Sequence, residues 1–378
     1  MNAHVSEAPR LRPGATLQFL DGAGMLFLTG SQQLFSLNTT AAFIWCLLED
    51  GLPPGQISEQ LNATFGLARA EADKCVIHVL QQWSELGLLD ADGVANGAAS
   101  APCTYTLLDT RFRLEVAVPE LLEQLTPLLA PLQAADPAPE AITLQLAATP
   151  DGFELRLGDR VIESCDLRRQ VVPMIKTGLI ELALERSSDF CAIHAAGVSL
   201  GNRALLLPGA SGQGKSTLSA ALVAAGLPLF GDDTVVLARD TLAARPAPFS
   251  ICLKSGSWPL LRERYPAIEQ LPMHHRLDGK LVRYLTPDPA CWLGEDCRQR
   301  VAWVVFPSRS PGEAATLEPL PRPEALIRLL AQCFPLDGGL DAVKAARLVD
   351  WMRGVECYEL RYDDLDDAVA CLRGLDTQ

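Results

Sequence analysis

The apolar positions change period along the chain, and those changes divide it. Thr16-Leu-Gln-Phe-Leu20, Met25-Leu-Phe-Leu28 and Gln33-Leu-Phe-Ser36 are short, strand-like runs, the first two joined by the turn residues Asp21-Gly22-Ala23-Gly24. From Asn38 the spacing becomes helical. Ala42, Trp45, Cys46 and Leu48 predict a helix capped by Asn38 or Thr39 and ended by Gly51. Ile57 and Leu61 predict a second over 54–65. The stripe Cys75, Val76, Val79, Leu80 and Trp83 predicts a third over 69–86. Three strands followed by three helices make residues 11–92 a small winged-helix-like α+β domain. Residues 93–102, Gly-Val-Ala-Asn-Gly-Ala-Ala-Ser-Ala-Pro, are small and breaker-rich, as in a linker.

Residues 103–186 read as an α+β middle subdomain. Strands are expected at 105–108 and 112–116, then a helix over 119–129 with Pro119 at its start. After a loop at 133–139, a β-meander over 141–147, 153–157 and 160–162 carries the turn signals Asp151-Gly152 and Gly158-Asp159. A helix over 167–185 closes the stretch. No catalytic constellation is visible in it. The last domain, 187–378, alternates strands (204–207, 234–237, 250–253, 301–306 ended by Pro307, 357–362) with helices (from 215 on, 323–334, 342–353, 363–375) and is α/β in class. The polar, partly basic segment 262–283 reads as a mobile loop.

Composition narrows the options. Of 378 residues 48% are hydrophobic and 21% charged, ordinary for a globular chain. The formal net charge of −14 argues against nucleic-acid binding, which needs basic surfaces. Eleven cysteines without a C-x-x-C are expected as reduced thiols in a cytoplasmic protein. No apolar signal segment or membrane-length span is visible.

The chemistry concentrates at Gly209-Ala-Ser-Gly-Gln-Gly-Lys215-Ser216, which fits G-x-x-x-x-G-K-[ST]. An apolar strand, Ala204–Leu207, precedes it. A helical pattern, Leu218, Ala221, Leu222 and Ala225, follows it, with Gly226 as its stop. Glycines let successive N–H groups converge on phosphate oxygens, and the helix N-terminus adds positive potential. Gly209, Ser211, Gly212, Gln213, Gly214, Lys215, Ser216 and Thr217 are therefore the expected nucleotide-binding residues. Lys215 would reach the β/γ-phosphates, and Ser216 would ligate Mg²⁺. Lys254 and Arg283 are further candidate phosphate contacts.

His194 lies fifteen positions before Gly209, and Asp232-Asp233 follow the helix. Together with the loop, these residues resemble the HPr serine kinase/phosphorylase family, although Ala195 stands where that family has Gly. The resemblance is strong over about 190–240 and weak elsewhere. It implies a P-loop kinase core using ATP and Mg²⁺. On that likeness Lys215 is a catalytic as well as a binding residue, Asp232 is the catalytic Asp, Asp233 is the metal-side Asp beside Ser216, and His194 stands by the phosphates.

The N-terminal unit resembles the PqqD-like family on Leu37-Asn-Thr-Thr-Ala-Ala-Phe-Ile-Trp45, Leu47-Leu48, Asp50-Gly51 and Leu86-Gly-Leu-Leu89. That likeness implies a leader peptide added as a strand to the third β-strand and lying against the third helix. Leu34, Phe35, Val76, Val79 and Leu80 are the candidate contacts. The combined expectation is an ATP-dependent kinase for a Ser or Thr hydroxyl on a ribosomally made precursor peptide. An ATP-binding regulator or assembly factor, or a small-molecule kinase, stays open, as does a homo-oligomer.

Overall fold

The computed structural model describes residues 9, 11, 15–20, 23–28, 33–89, 103–134, 140–149, 152–335 and 339–377. The linker expected at 93–102, the turn residues Asp21 and Gly22, most of the loop at 133–139 and Asp151 lie outside them. The chain divides into two compact units. The first takes residues 1–100, 116–119 and 145–174, and the second takes 101–115, 120–144 and 175–378. The stretch 103–186 is thus shared between them rather than standing as a body of its own.

In the first unit, β1 (Ala15–Leu20), β2 (Ala23–Leu28) and β3 (Gln33–Leu37) form an antiparallel sheet in that order. Helices α1 (Thr39–Glu49), α2 (Pro54–Phe65) and α3 (Arg69–Glu85) follow. Asn38 caps α1, its side chain accepting from Ala41 N at 2.8 Å. Gly66, at φ 68°, ends α2 in the left-handed conformation that glycine adopts without penalty. The core gathers Leu26, Ile44, Trp45, Ile57, Leu61, Val76, Trp83 and Leu88. Trp45 and Trp83 meet edge to face at 5.2 Å.

The middle stretch supplies β4 (Thr104–Leu107), β5 (Thr110–Val116) and α4 (Pro119–Leu129), then β6 (Ile142–Thr149), β7 (Gly152–Leu157) and β8 (Arg160–Cys165). β4 and β5 pair as a hairpin, and β6, β7 and β8 as a meander. α5 (Val171–Arg186) runs into the last domain.

That domain is built on β9 (Cys191–Ile193), β10 (Ala195–Leu200), β11 (Arg203–Pro208), α6 (Lys215–Ala224), β12 (Leu229–Gly231), β13 (Val235–Leu237), β14 (Ala244–Arg245), β15 (Ile251–Lys254) and α7 (Trp258–Leu261). It continues with β16 (Met273–His275), β17 (Leu281–Leu285), β18 (Val301–Arg309), β19 (Thr316–Pro319), α8 (Arg322–Leu330), β20 (Cys333–Pro335), α9 (Ala342–Met352), β21 (Glu356–Tyr362) and α10 (Leu365–Arg373). The main sheet has the order β12-β10-β11-β18-β21-β19. β11, β18 and β21 are mutually parallel, and β12 joins their direction through two antiparallel pairings across β10. Its central strands bury both faces: Leu205, Leu207, Trp303 and Val305 pack in one core, and Ala204, Leu206, Val304 and Phe306 in the other. The carboxyl ends of β11, β12, β18 and β21 therefore share one edge, as does the residue before β10. Ligands of open α/β sheets bind outside such an edge.

Three expectations are corrected here. β18 does not end at Pro307 but runs to Arg309. Its register with β11 stops at Leu206↔Val304, so no donor is needed from Pro307 on that side, while pairing with β21 continues. Phe334 is not helical. α8 stops at Leu330, and Phe334 pairs in β20 against Ala192 of β9. The segment 262–283 is not a loop: it holds β16 and the start of β17, joined by a turn in which Gly279 sits at φ 78°. The acidic run near the C-terminus acts as a helix start. Asp364 caps α10, accepting from Asp366 N and Asp367 N.

Arg245 fixes the β4–β5 turn to the core. Both partner carboxylates bind it: Asp189 at 2.5 Å and Asp109 at 3.0 Å, with Arg245 and Asp189 each 6% exposed. Replacing Arg245 with Met strands the buried Asp189 carboxylate. We expect a loss of about 3–5 kcal/mol, read as a lower urea midpoint at unchanged slope.

Candidate functional site

The loop between β11 and α6 is shaped by close approaches. Gly209 sits at φ 157°, and a Cβ there would meet Gln213 Oε1 at 2.3 Å. That amide oxygen accepts from Ala210 N at 3.0 Å and ties the loop across its mouth. Gly214, the N-cap of α6, sits at φ 85°, where a Cβ would meet the Tyr362 hydroxyl at 2.8 Å. The backbone at both positions favours glycine. Its backbone and the N-terminus of α6 face a cleft of about 600 Å³. Gly212, Gly214, Lys215, Ser216 and Thr217 line it, with Ser211 and Gln213. Lys254 donates to Ser211 Oγ at 2.6 Å and so belongs to the same site. Thr217 bonds Ser257 at 2.6 Å.

Lys215 is 5% exposed, and its Nζ donates to Gly209 O at 2.6 Å and Ala210 O at 3.2 Å. It also lies 3.2 Å from His194 Nε2. On the other side of the ring, His194 Nδ1 is 3.0 Å from Asp233 O. A carbonyl can only accept, so Nδ1 carries the proton and Nε2 presents its lone pair to the ammonium. Burial and then the Lys215 charge hold the His194 pKa below its usual value, which matches a neutral ring. The Lys215 ammonium is itself pushed down, chiefly by burial.

The two aspartates part company. Asp232 is 1% exposed; its Oδ2 accepts from Cys252 N at 2.9 Å, and Ser219 Oγ is 3.5 Å from Oδ1. Burial, then the Asp233 charge, push its pKa up to about 6. Asp233 lines the cleft, with its backbone at φ 73°. Its Oδ2 pairs with Lys176 Nζ at 3.5 Å. Burial would raise the Asp233 pKa, but Lys176, His194, Lys215 and Arg276 outweigh it and hold the carboxyl below its ordinary range. The two adjacent carboxylates thus differ in setting: Asp232 is buried, and Asp233 lines the cleft.

Lys176 was not foreseen. It is 6% exposed on α5, with its Nζ over the rings of Phe249 (5.9 Å) and Tyr284 (5.7 Å). Burial lowers its pKa, but Asp233, Cys252 and Asp232 raise it more, so it stays charged. The one signal was a lysine in an apolar stripe, four positions after Val172 and three before Leu179. Arg276, Ser308, Arg309, Tyr362 and Asp363 also line the cleft, and none was among the candidate site residues read from the sequence. Arg283 lies elsewhere: it stacks on Trp258 at 4.3 Å and donates to Ile268 O at 2.6 Å.

Among the described residues no cluster of three His, Cys, Asp or Glu could hold a metal ion. Ser216 and Asp232 offer one hydroxyl and one carboxylate. Ser216 lines the cleft and the Asp232 carboxylate is buried; these hard oxygen donors are the ones that would hold Mg²⁺ and supply charge neutralisation beside a phosphate.

In the first unit, β3 is an outer strand whose sheet neighbour is β2. Leu34 is 60% exposed and stands opposite Phe27, which is 38% exposed. Phe35, Val79 and Leu80 are half-buried, whereas Val76 is sealed in the core and offers no surface. All eleven cysteines are free thiols, and no helix among the described residues is long and apolar enough to cross a membrane.

His194 provides a direct check on this wiring. We expect its NMR titration midpoint to lie below the usual value of about 6.5 and to rise in Lys215→Met, because a repelling charge is removed. A folded pKa below the unfolded one means the unfolded chain takes up the proton first. The His194 contribution to stability is therefore fully present above pH ~6.5 and declines as pH falls toward the folded midpoint.

Comparison with known proteins reaches the first unit. The family of coenzyme PQQ synthesis protein D (PqqD) matches residues 24–89. No curated protein matches the chain. Among solved structures, TbiB1 in complex with the TbiA(beta) leader peptide is 20% identical, over 22% of this chain and 98% of that one, with a TM-score of 0.21. Lasso peptide synthetase B1 complexed with the leader peptide is 26% identical, over 22% of this chain and 95% of that one, with a TM-score of 0.20. The chain thus carries a PqqD-like domain near its N-terminus, and this match ends at residue 89, well before the glycine-rich loop.

Proposed function

We propose that this protein is an ATP-dependent kinase acting on a Ser or Thr hydroxyl of a ribosomally made precursor peptide, recruited by its PqqD-like domain. The observation that carries the reading is the chain of contacts from the loop to the carboxylates: Lys215 on Gly209 O and His194, and His194 on Asp233 O. A glycine-rich loop alone binds phosphate. One wired to a cleft-facing carboxylate can also orient an acceptor.

In this reading the loop N–H groups and Lys215 hold the donor phosphates, and Ser216 and Asp232 hold Mg²⁺. The ion would supply charge neutralisation at the transferring phosphoryl group. Asp233 accepts the hydrogen bond of the acceptor hydroxyl. Its lowered pKa makes it a weak base, which suffices where the transition state is loose and catalysis is mainly positioning. Lys176 fixes that carboxylate from behind. The sequence likeness gave catalysis to Asp232 and the metal to Asp233; the place of Asp233 in the cleft lining favours the reverse. Leader-peptide docking along the outer edge of β3 fits the exposed Leu34 and would raise the local concentration of acceptor. Free thiols fit a cytoplasmic setting.

The test uses purified protein, Mg-ATP and short peptides encoded beside its gene, read by intact mass. A peptide should gain one phosphate, and deletion of residues 1–92 should abolish the gain. Asp233→Asn should lower kcat by about 100-fold or more while ATP still binds. A chain that binds ATP and leaves every peptide unmodified would point instead to a nucleotide-dependent regulator.

The Asp232 carboxyl, pushed up to about 6, adds a pH prediction. A protonated carboxyl cannot take a cation, so kcat/KM should rise with pH through about 6 at limiting Mg²⁺. Saturating Mg²⁺ should move that midpoint down, because the ion competes with the proton.

A further inference from the structure

The loop lies between two unlike walls. Toward β10 and β12 stand His194, Asp232 and Asp233. Toward β18 and β21 stand Ser308, Arg309, Tyr362 and Asp363, with Leu365 beyond them. If the phosphates sit on the loop with their reacting end at the carboxylates, the rest of the nucleotide must leave over the second wall.

That wall is not built to grip phosphate. Arg309 Nε and Nη2 both donate to Asp363 Oδ1, at 3.2 and 3.0 Å, and Gly312 N donates to Asp363 Oδ2 at 2.9 Å. Its charge is already matched by a carboxylate. Its plane is held by one edge, and the side chain remains 49% exposed. A guanidinium fixed by its edge keeps its flat faces for stacking on an aromatic ring. Leu365, and Leu260 at 38% exposure, line the same cleft with apolar surface.

We propose that the second wall is the nucleoside subsite, where a purine ring stacks on the guanidinium of Arg309 over the carboxyl ends of β18 and β21. This rests on the nucleotide reading above and assigns the half of the ligand which that reading leaves unplaced. Asp363 acts as the positioning residue that sets the plane of Arg309.

The experiment measures calorimetric binding of two probes, Mg-ATP and Mg-tripolyphosphate, to the full chain. The second probe has the phosphates without the nucleoside. The wild-type chain should bind ATP about tenfold more tightly than tripolyphosphate. Arg309→Ala should shrink that gap to about threefold or less and leave tripolyphosphate binding unchanged, which also reports an intact loop. Arg309→Lys, which keeps the charge and loses the plane, should behave like Arg309→Ala.

The subsite is overturned if either variant keeps the full ATP advantage, or if both probes weaken in parallel. Equal binding of the two probes by the wild-type chain overturns it too. The nucleotide reading fails separately: it falls if the wild-type chain binds neither probe, or if Lys215→Met leaves both affinities unchanged.

Discussion

The site depends on one unusual backbone residue. Asp233 occupies the left-handed region at φ 73°, which costs an ordinary side chain free energy and which aspartate tolerates better than most. The twist turns its carbonyl to His194 and its carboxylate to Lys176. Asp232, immediately before it, points into the core toward Cys252 N and Ser219. Two adjacent carboxylates thus acquire opposite environments: one rises to about 6 by burial, and the other is held low by surrounding cations. A regular extended residue at 233 would turn the carbonyl away and leave His194 Nδ1–H without its acceptor.

The sheet explains why these groups meet. β12, β10 and β11 are consecutive along one side of the sheet, and the two antiparallel steps between them bring residues 194, 209 and 232 to the same edge. β18 and β21 bring residues 308 and 362 to it from more than seventy positions later in the chain. Hydrophobic burial on both faces of the central strands sets that order, so the chemistry is positioned by the core rather than by the loops alone.

How much of this could be read beforehand follows from range. The loop, its helix and the Asp pair are local, and their residue types are dictated by local geometry: glycine where φ is positive, and a lysine that folds back on its own turn. The three strands and three helices of the first unit were legible because they carry local signals, Asn38 before α1 and Gly51 after it among them. Hydropathy could not tell the arginines of the β16–β17 hairpin apart. Arg276 and Arg283 are equally polar in sequence, yet strand register turns Arg283 onto Trp258 while Arg276 lines the cleft. Nor could it pair Arg309 with Asp363, since that meeting is made by β18 continuing through a proline that usually ends strands.

Lys176 and Asp109 both lie before residue 187, where the sequence alone would begin the last domain. A fragment cut at that point would lose the cation behind Asp233 and one of the two carboxylates on Arg245. The glycine-rich loop is therefore not a portable cassette in this chain. Any recombination event that moved it to a new partner would have to carry the preceding hairpin and α5 along, and that requirement couples the history of the middle stretch to that of the site.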